Sequence, residues 1–283
     1  SLPIPRDDIQ RSYQQFLCQK RSEPSLFRYN IFNIASFFLL IPCYFLFSFA
    51  RFKSQREKDY DAVITLVDFP NKILPVEIST SITCSNFNRG SLNKQDKKFL
   101  AVIRKRYPFA FYFRFKCLCR IAAYSDFIKR YNPKMVICSA EFSFTSSILT
   151  MYCEQHGIVH TNIMHGEKLY MLREAFSRFS RFYVWDEFYI DLFLSLRADK
   201  TEYILAPMEL PEIVVDYSDD TCVYYLGSET EIELLRIKDA LEQLGKQYWV
   251  RPHPRYSTPT IRKIFSDKQI QDCKKVDVWD SIA

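Results

Sequence analysis

Five consecutive residues, Arg251-Pro252-His253-Pro254-Arg255, place one imidazole and two guanidiniums on a backbone restrained by two prolines. Proline fixes φ, and guanidinium presents paired donors in the geometry of phosphate oxygens. The loop reads as a phosphate-binding corner, with a proline-stiffened surface loop as the plainer alternative. Gly227-Ser228 opens a predicted helix, where backbone N–H groups and the positive helix end attract phosphate. A plain capping box would use the same two residues. His165-Gly166 follows a predicted strand: the glycine allows close backbone approach, and His165 offers a donor to a phosphate or sugar hydroxyl. A general base must take the proton of an attacking hydroxyl, and Glu141, just after KMVICS, is the best placed carboxylate. Phe142 beside it would favour proton uptake by partial desolvation. The alternative is a helix-start glutamate that complements the dipole, and Asp68 is the reserve base. His156 and His160 read as structural. The histidines lack ligand spacing with acids, so no metal site is expected.

These residues must be held at strand ends. Ala62–Val67 reads as the first buried strand, followed by a polar loop from Ser79 to Asp96. From Tyr131 the pattern alternates regularly: a strand at Lys134–Ser139, a helix at Phe144–His156 closed by Gly157, and a strand at Ile158–Met164. A strand at Arg181–Trp185, a helix at Glu187–Leu196 with Asp186 as its cap, and a short strand at Tyr203–Leu205 follow. The acidic segment Pro207–Asp220 has no helical period and reads as a linker. A second β-α-β unit contains a strand at Thr221–Leu226, a Ser228/Glu231 capping box and a helix to Leu244. That helix carries Ile232, Leu235, Leu241 and Leu244 on one face, with Gly245 at its end. The strand Gln247–Arg251 leads into the His253 loop. Strands alternating with helices imply an α/β fold with parallel sheets. Two such units across a linker imply two doubly wound, Rossmann-like lobes.

The N-terminal third is different. Its first thirty residues are polar, with no apolar core of a signal peptide. Ile31–Ala50 is apolar for twenty residues, interrupted by Pro42 and flanked by Arg28, Arg51, Lys53, Arg56 and Lys58. A core helix or helix pair, a monotopic membrane anchor and a single span all fit that length. Residues 94–130 hold eleven Lys and Arg against two acids, with Phe109, Phe111, Tyr112, Phe113 and Phe115 among them. Helices with solvated faces explain this stretch, as does a surface that meets acidic lipid. The expected division is a helical, membrane-associating segment at 1–58, a first lobe at 59–206, a linker at 207–220 and a nucleotide lobe at 221–283. The last lobe is short and is expected to be incomplete.

Composition limits the partners. The chain has 283 residues, 48% hydrophobic and 25% charged, which excludes a disordered or collagen-like protein. A net charge of +6 is below that of a dedicated nucleic-acid binder, and it suits an anionic substrate or an anionic membrane surface. Nine cysteines without a C-x-x-C pair argue against zinc and for a reducing, cytoplasmic setting.

The arrangement resembles GT-B glycosyltransferases. The likeness covers roughly Tyr131–Ala283. It rests on a strand ending at a carboxylate (Glu141), a helix, Gly157, a strand ending in His165-Gly166, and the segment Phe179 to Asp186. Tyr225-Leu226-Gly227-Ser228-Glu229 and Arg251-Pro252-His253-Pro254-Arg255 are similar to the nucleotide lobe of bacterial surface-polysaccharide transferases. Among these are the sialyl- and Kdo-transferases of capsule and lipooligosaccharide synthesis, which use CMP-sugars. The resemblance implies that His253 binds the CMP phosphate, with Arg251, Pro254, Arg255, Gly227, Ser228, His165 and Gly166 around the donor, and that Glu141 is the base. It implies a metal-independent transferase with no cofactor beyond its nucleotide-sugar substrate. The expected acceptor is a surface glycan or glycolipid, reached at the inner face of the cell membrane. Such a lobe usually extends beyond a segment like Asp277 to Trp279. CDP-glycerol-type glycerophosphate transfer, and a non-catalytic nucleotide- or glycan-binding scaffold, are the alternatives.

Overall fold

The β-branched and aromatic runs pair side by side. In the computed structural model the strands β1 Ala62–Ile64, β2 Ile82–Cys84, β3 Met135–Cys138, β4 Val159–Ile163, β5 Arg181–Val184 and β6 Glu202–Leu205 form one sheet. Its order is β2-β1-β3-β4-β5-β6, and every pairing is parallel. The fold is mixed α/β with a parallel sheet. The structure describes residues 3–22, 26–50, 61–64, 82–84, 90–164, 166, 176–199, 202–207, 221–227, 229–253 and 259–272. The chain forms two units, Ser1–Met208 and Glu209–Ala283.

Helices of the first unit are α1 Asp8–Ser22, α2 Leu26–Phe49, α3 Lys94–Arg106, α4 Phe111–Tyr131, α5 Ser146–Glu154 and α6 Glu187–Ser195. α1 and α2 belong to this unit and do not form a segment apart, because their aromatics complete its core. Phe16 of α1 lies 5.3 Å from Phe113 of α4 and 5.2 Å from Phe144, ring centre to ring centre. Such tilted and edge-on pairs add stability beyond their buried area. α4 is the central helix, with Phe113, Cys117, Ile121 and Phe127 fully enclosed. Its side facing α3 holds Ser125, which donates to the buried Asp96 at 2.6 Å. Asp96 also accepts from Tyr152 of α5 at 2.7 Å and from the Asn93 N–H at 2.7 Å, closing the capping box of α3.

Three sequence expectations for this unit change. The polar loop from Ser79 to Asp96 contains β2, a three-residue strand too short to show alternation. The apolar run is one helix through Pro42, so it is neither a helix pair nor a buried core helix. Proline removes one N–H from the ladder, while Phe37 against Phe111 (4.9 Å) on one side and Phe47 packed beside Gly90 on the other hold both halves to the unit. A Cβ on Gly90 would stand 3.0 Å from the Phe47 ring and 3.1 Å from Ala122, so a side chain there requires these neighbours to give by a few tenths of an ångström. Ser91 and Leu92 then bridge the helices, donating to Ala122 O (3.1 Å) and Phe47 O (2.9 Å). Third, the solvated-helix reading of residues 94–130 holds only for α3, since α4 is mostly enclosed.

The second unit pairs β7 Thr221–Leu226 with β8 Gln247–Pro252 in parallel, with α7 Glu231–Gln243 between them and α8 Pro259–Ile264 after them. Leu226, Leu234, Leu241, Val250, Ile261 and Phe265 form its core. Gly245 takes φ +66° after α7, as Gly157 takes φ +68° after α5, the left-handed conformation that ends a helix. The expected Ser228/Glu231 capping box is replaced by Thr230/Glu233. Thr230 is the extended N-cap, so the helix begins later than expected. Its buried stripe is Leu234 and Leu241, seven residues apart. Ile232, Leu235 and Leu244 face solvent, because a two-stranded sheet receives one narrow stripe.

Candidate functional site

Ligands of parallel sheets bind beyond the carboxyl ends of the strands. In the first unit that edge lies after β3 and β4, where Cys138 and Asn162 are in register. Glu141 sits there as expected. It is completely buried, and Asn162 Nδ2 donates to its Oε2 at 3.1 Å. Asn162 Oδ1 accepts the Ala140 N–H at 2.7 Å, so one amide holds both the backbone and the carboxylate of the loop.

α1 holds the backbone of this loop. Gln15 Nε2 donates to Glu141 O at 2.9 Å, and Gln19 donates to Phe142 O. Ser12 Oγ accepts the Ile148 N–H at 3.1 Å, capping α5 from another helix where Thr145 makes no side-chain cap. A pair of acids fastens α1 in place: Arg178 donates to Asp8 at 2.7 and 2.8 Å and to Glu154 at 2.8 and 2.6 Å. Burial disfavours the Arg178 charge, but Glu154 and Asp8 outweigh it and raise its pKa. Sequence reasoning missed this cover, because Ser12, Gln15 and Gln19 have the composition of a solvent-facing helix.

Behind the edge, the buried His160 of β4 bonds on both ring nitrogens. Thr150 Oγ1 lies 2.7 Å from Nδ1 and Tyr124 Oη lies 3.1 Å from Nε2. Thr150 also reaches the Arg178 carbonyl at 2.7 Å, so its hydroxyl donates there and accepts from Nδ1–H. Nε2 is then the bare nitrogen that accepts from Tyr124. Burial, with Arg178 adding like charge, pushes the His160 pKa down to about 3. The histidine is neutral and structural; His156 is structural too, with its Nδ1 bonded to Tyr152 O at the end of α5.

Among the described residues, no heavy atom beyond its chain neighbours comes within 4 Å of where a Cβ on Gly166 would stand. His165, Ser228, Pro254, Arg255 and the reserve base Asp68 lie outside the described residues.

In the second unit the register of β7 and β8 ends at Leu226 and Pro252. Gly227 and His253 are the next residues of two parallel neighbours, so both stand at one carboxyl edge. His253 is exposed there. Arg251 is a strand residue and not a loop residue. It is buried, and its Nη1 donates to Gln271 at 3.1 Å. The Gly227 N–H donates to Glu229 Oε1 at 2.9 Å, so a carboxylate occupies the donor expected to meet phosphate. Glu231 and Glu233 in the first turn of α7 add negative charge at the same helix end. The edge thus offers an exposed imidazole with an internal carboxylate competing for its backbone donor. Comparison with protein-family models, with curated proteins and with solved structures finds no match to this chain.

Proposed function

We propose that this protein is a glycosyltransferase of GT-B-like, two-lobed arrangement. It would move a sugar from a nucleotide donor, most simply a CMP-sugar, to a surface-glycan or glycolipid acceptor at the inner face of the cell membrane. The observation that carries the reading is the parallel register of β7 and β8, which brings Gly227 and His253 to one carboxyl edge. There His253 would donate to the single phosphate of CMP, and Arg255 would add charge. The acceptor oxygen attacks the anomeric carbon, the bond from that carbon to the phosphate oxygen breaks, and the acceptor proton passes to Glu141. His253 offsets the charge that develops on the departing phosphate. The Glu141 carboxylate is enclosed, so it would have to become accessible to the acceptor before it takes that proton.

The membrane location is supported by α2. Phe27–Phe49 is long and apolar enough to cross a bilayer, with a mean hydropathy of 2.0, and only 6% of its 18-residue apolar window is buried. The enclosure of Glu141 favours one second reading, a nucleotide- or glycan-binding scaffold without turnover. Release of CMP from a CMP-sugar, measured with and without a glycan acceptor, separates the two. Acceptor-dependent release supports transfer, and nucleotide binding without release supports the scaffold.

A further inference from the structure

α2 presents more apolar surface than its unit covers. Phe38, Ile41 and Leu46 are 68%, 66% and 65% exposed. Soluble monomers seldom leave so large a contiguous patch open. The opposite side of α2 lies on α4, from the Asn33 side chain at the Tyr112 N–H (3.0 Å) to Phe47 beside Ala122. α4 carries Arg114, Lys116 and Arg120, so a docked α2 cannot cross hydrocarbon without taking these cations with it, which hydrocarbon resists. A docked α2 lies along the interface, with its open face toward acyl chains.

Between α2, α3 and α4 runs a groove of about 410 Å³. That is within the roughly 300–1,000 Å³ of small-molecule sites. Leu40, Tyr44, Leu100 and Leu118 form its walls, and Lys97, Arg104 and Arg114 stand at it. Ile41 and Phe45 belong both to the groove and to the open face of α2, so the two surfaces are continuous. The cations have no carboxylate partner among the described residues. The two acids of residues 94–130 are engaged inside the fold, Asp96 by Ser125 and Tyr152, and Asp126 by Arg130 at 2.9 Å. Lys97 lies 6.0 Å from the Tyr44 ring centre, and Arg114 donates to Pro108 O. Burial and the neighbouring Arg104 both disfavour the Arg114 charge, a strain that an anion would relieve.

We propose that this groove binds one anionic phospholipid of the bilayer on which α2 lies, with an acyl chain along Leu40, Tyr44, Leu100 and Leu118 and the phosphate at Lys97, Arg104 and Arg114. The inference rests on the membrane side of the reading above and not on its chemistry. Charge complementarity selects the headgroup, and continuity with the open face of α2 selects lipid over a soluble anion.

The test titrates the full chain with short-chain phosphatidylglycerol below its micelle concentration, beside short-chain phosphatidylcholine. Ala101→Trp, on the exposed lip, fills the groove and keeps the cations. Lys97→Gln with Arg104→Gln removes charge and keeps the groove. Saturable binding of one phosphatidylglycerol is expected, abolished by Ala101→Trp and weakened roughly 30-fold by the double substitution. Co-sedimentation of Ala101→Trp with phosphatidylglycerol vesicles should persist, because the open face of α2 is untouched. Equal affinity for phosphatidylcholine, or unchanged binding in Ala101→Trp, overturns the groove while vesicle binding leaves the membrane reading standing. A wild-type chain that ignores anionic vesicles and scatters light as a dimer overturns both and assigns the open face to a second copy.

Discussion

Asn162, one residue before the end of β4, holds Glu141 on the loop after β3, with Nδ2 to Oε2 at 3.1 Å and the Ala140 N–H on its Oδ1 at 2.7 Å. Both bonds are enclosed, and losing them strands a buried carboxylate and a buried amide. Asn162→Ala should lower stability by about 2–3 kcal/mol, the range for a hydrogen bond to a charged group. Asn162→Asp should cost more at neutral pH and less in acid, because it sets two carboxylates against each other. Urea unfolding of the three proteins at both pH values checks this order.

Glu141 itself divides the transferase from the scaffold. Glu141→Gln keeps the shape of the side chain and removes its basicity. Turnover should fall by about 10²–10⁴-fold with donor affinity unchanged. Near-normal turnover in a folded Glu141→Gln protein would remove Glu141 as the base.

His160 makes stability depend on pH. Its folded pKa is pushed down to about 3, by burial first and then by Arg178, while the unfolded value is near 6.5. Above about pH 6.5 both states are neutral and the full contribution is present. Below it the unfolded chain takes up the proton first, so stability falls by up to about 1.4 kcal/mol per pH unit until the folded pKa is reached. His160→Gln should be less stable at neutral pH and should lose less on acidification. Parallel loss in the two proteins from pH 6.5 downward would contradict the assignment.

Glu229 competes with any phosphate for the Gly227 N–H, which it holds at 2.9 Å. Glu229→Ala frees that donor and removes one negative charge from the edge. CMP affinity should rise by about 1 kcal/mol or slightly more, read by calorimetry. Weaker binding in Glu229→Ala would mean that the carboxylate positions the loop for the nucleotide.

Much of the scaffold was legible because each signal was local. Met135–Cys138 and Thr221–Leu226 are unbroken runs of apolar, β-branched or aromatic residues, and Gly157 and Gly245 stand where helices must end. The start of α7 was misplaced because Ser228/Glu231 and Thr230/Glu233 both satisfy the same capping pattern. Only backbone geometry separates them. β2 was invisible because three residues carry no period. The enclosure of Glu141 was the least legible feature. Gln15 reaches it across 126 positions, and no local pattern marks a glutamine as a partner for a distant backbone carbonyl. The groove beside α2 was hidden for a similar reason: the basic stretch and the apolar run were both visible, but not the side-by-side packing of α2 and α4 that opens it.

The central claim is that the carboxyl edge of β7 and β8 holds the donor phosphate through His253. Calorimetric titration of the full chain with CMP, CDP, UDP and GDP, beside His253→Ala, tests it most directly. CMP should bind, and His253→Ala should weaken it by about 1.5–3 kcal/mol without changing the unfolding temperature of the free protein. Equal CMP affinity in the two proteins, or binding of none of the four nucleotides, would contradict it.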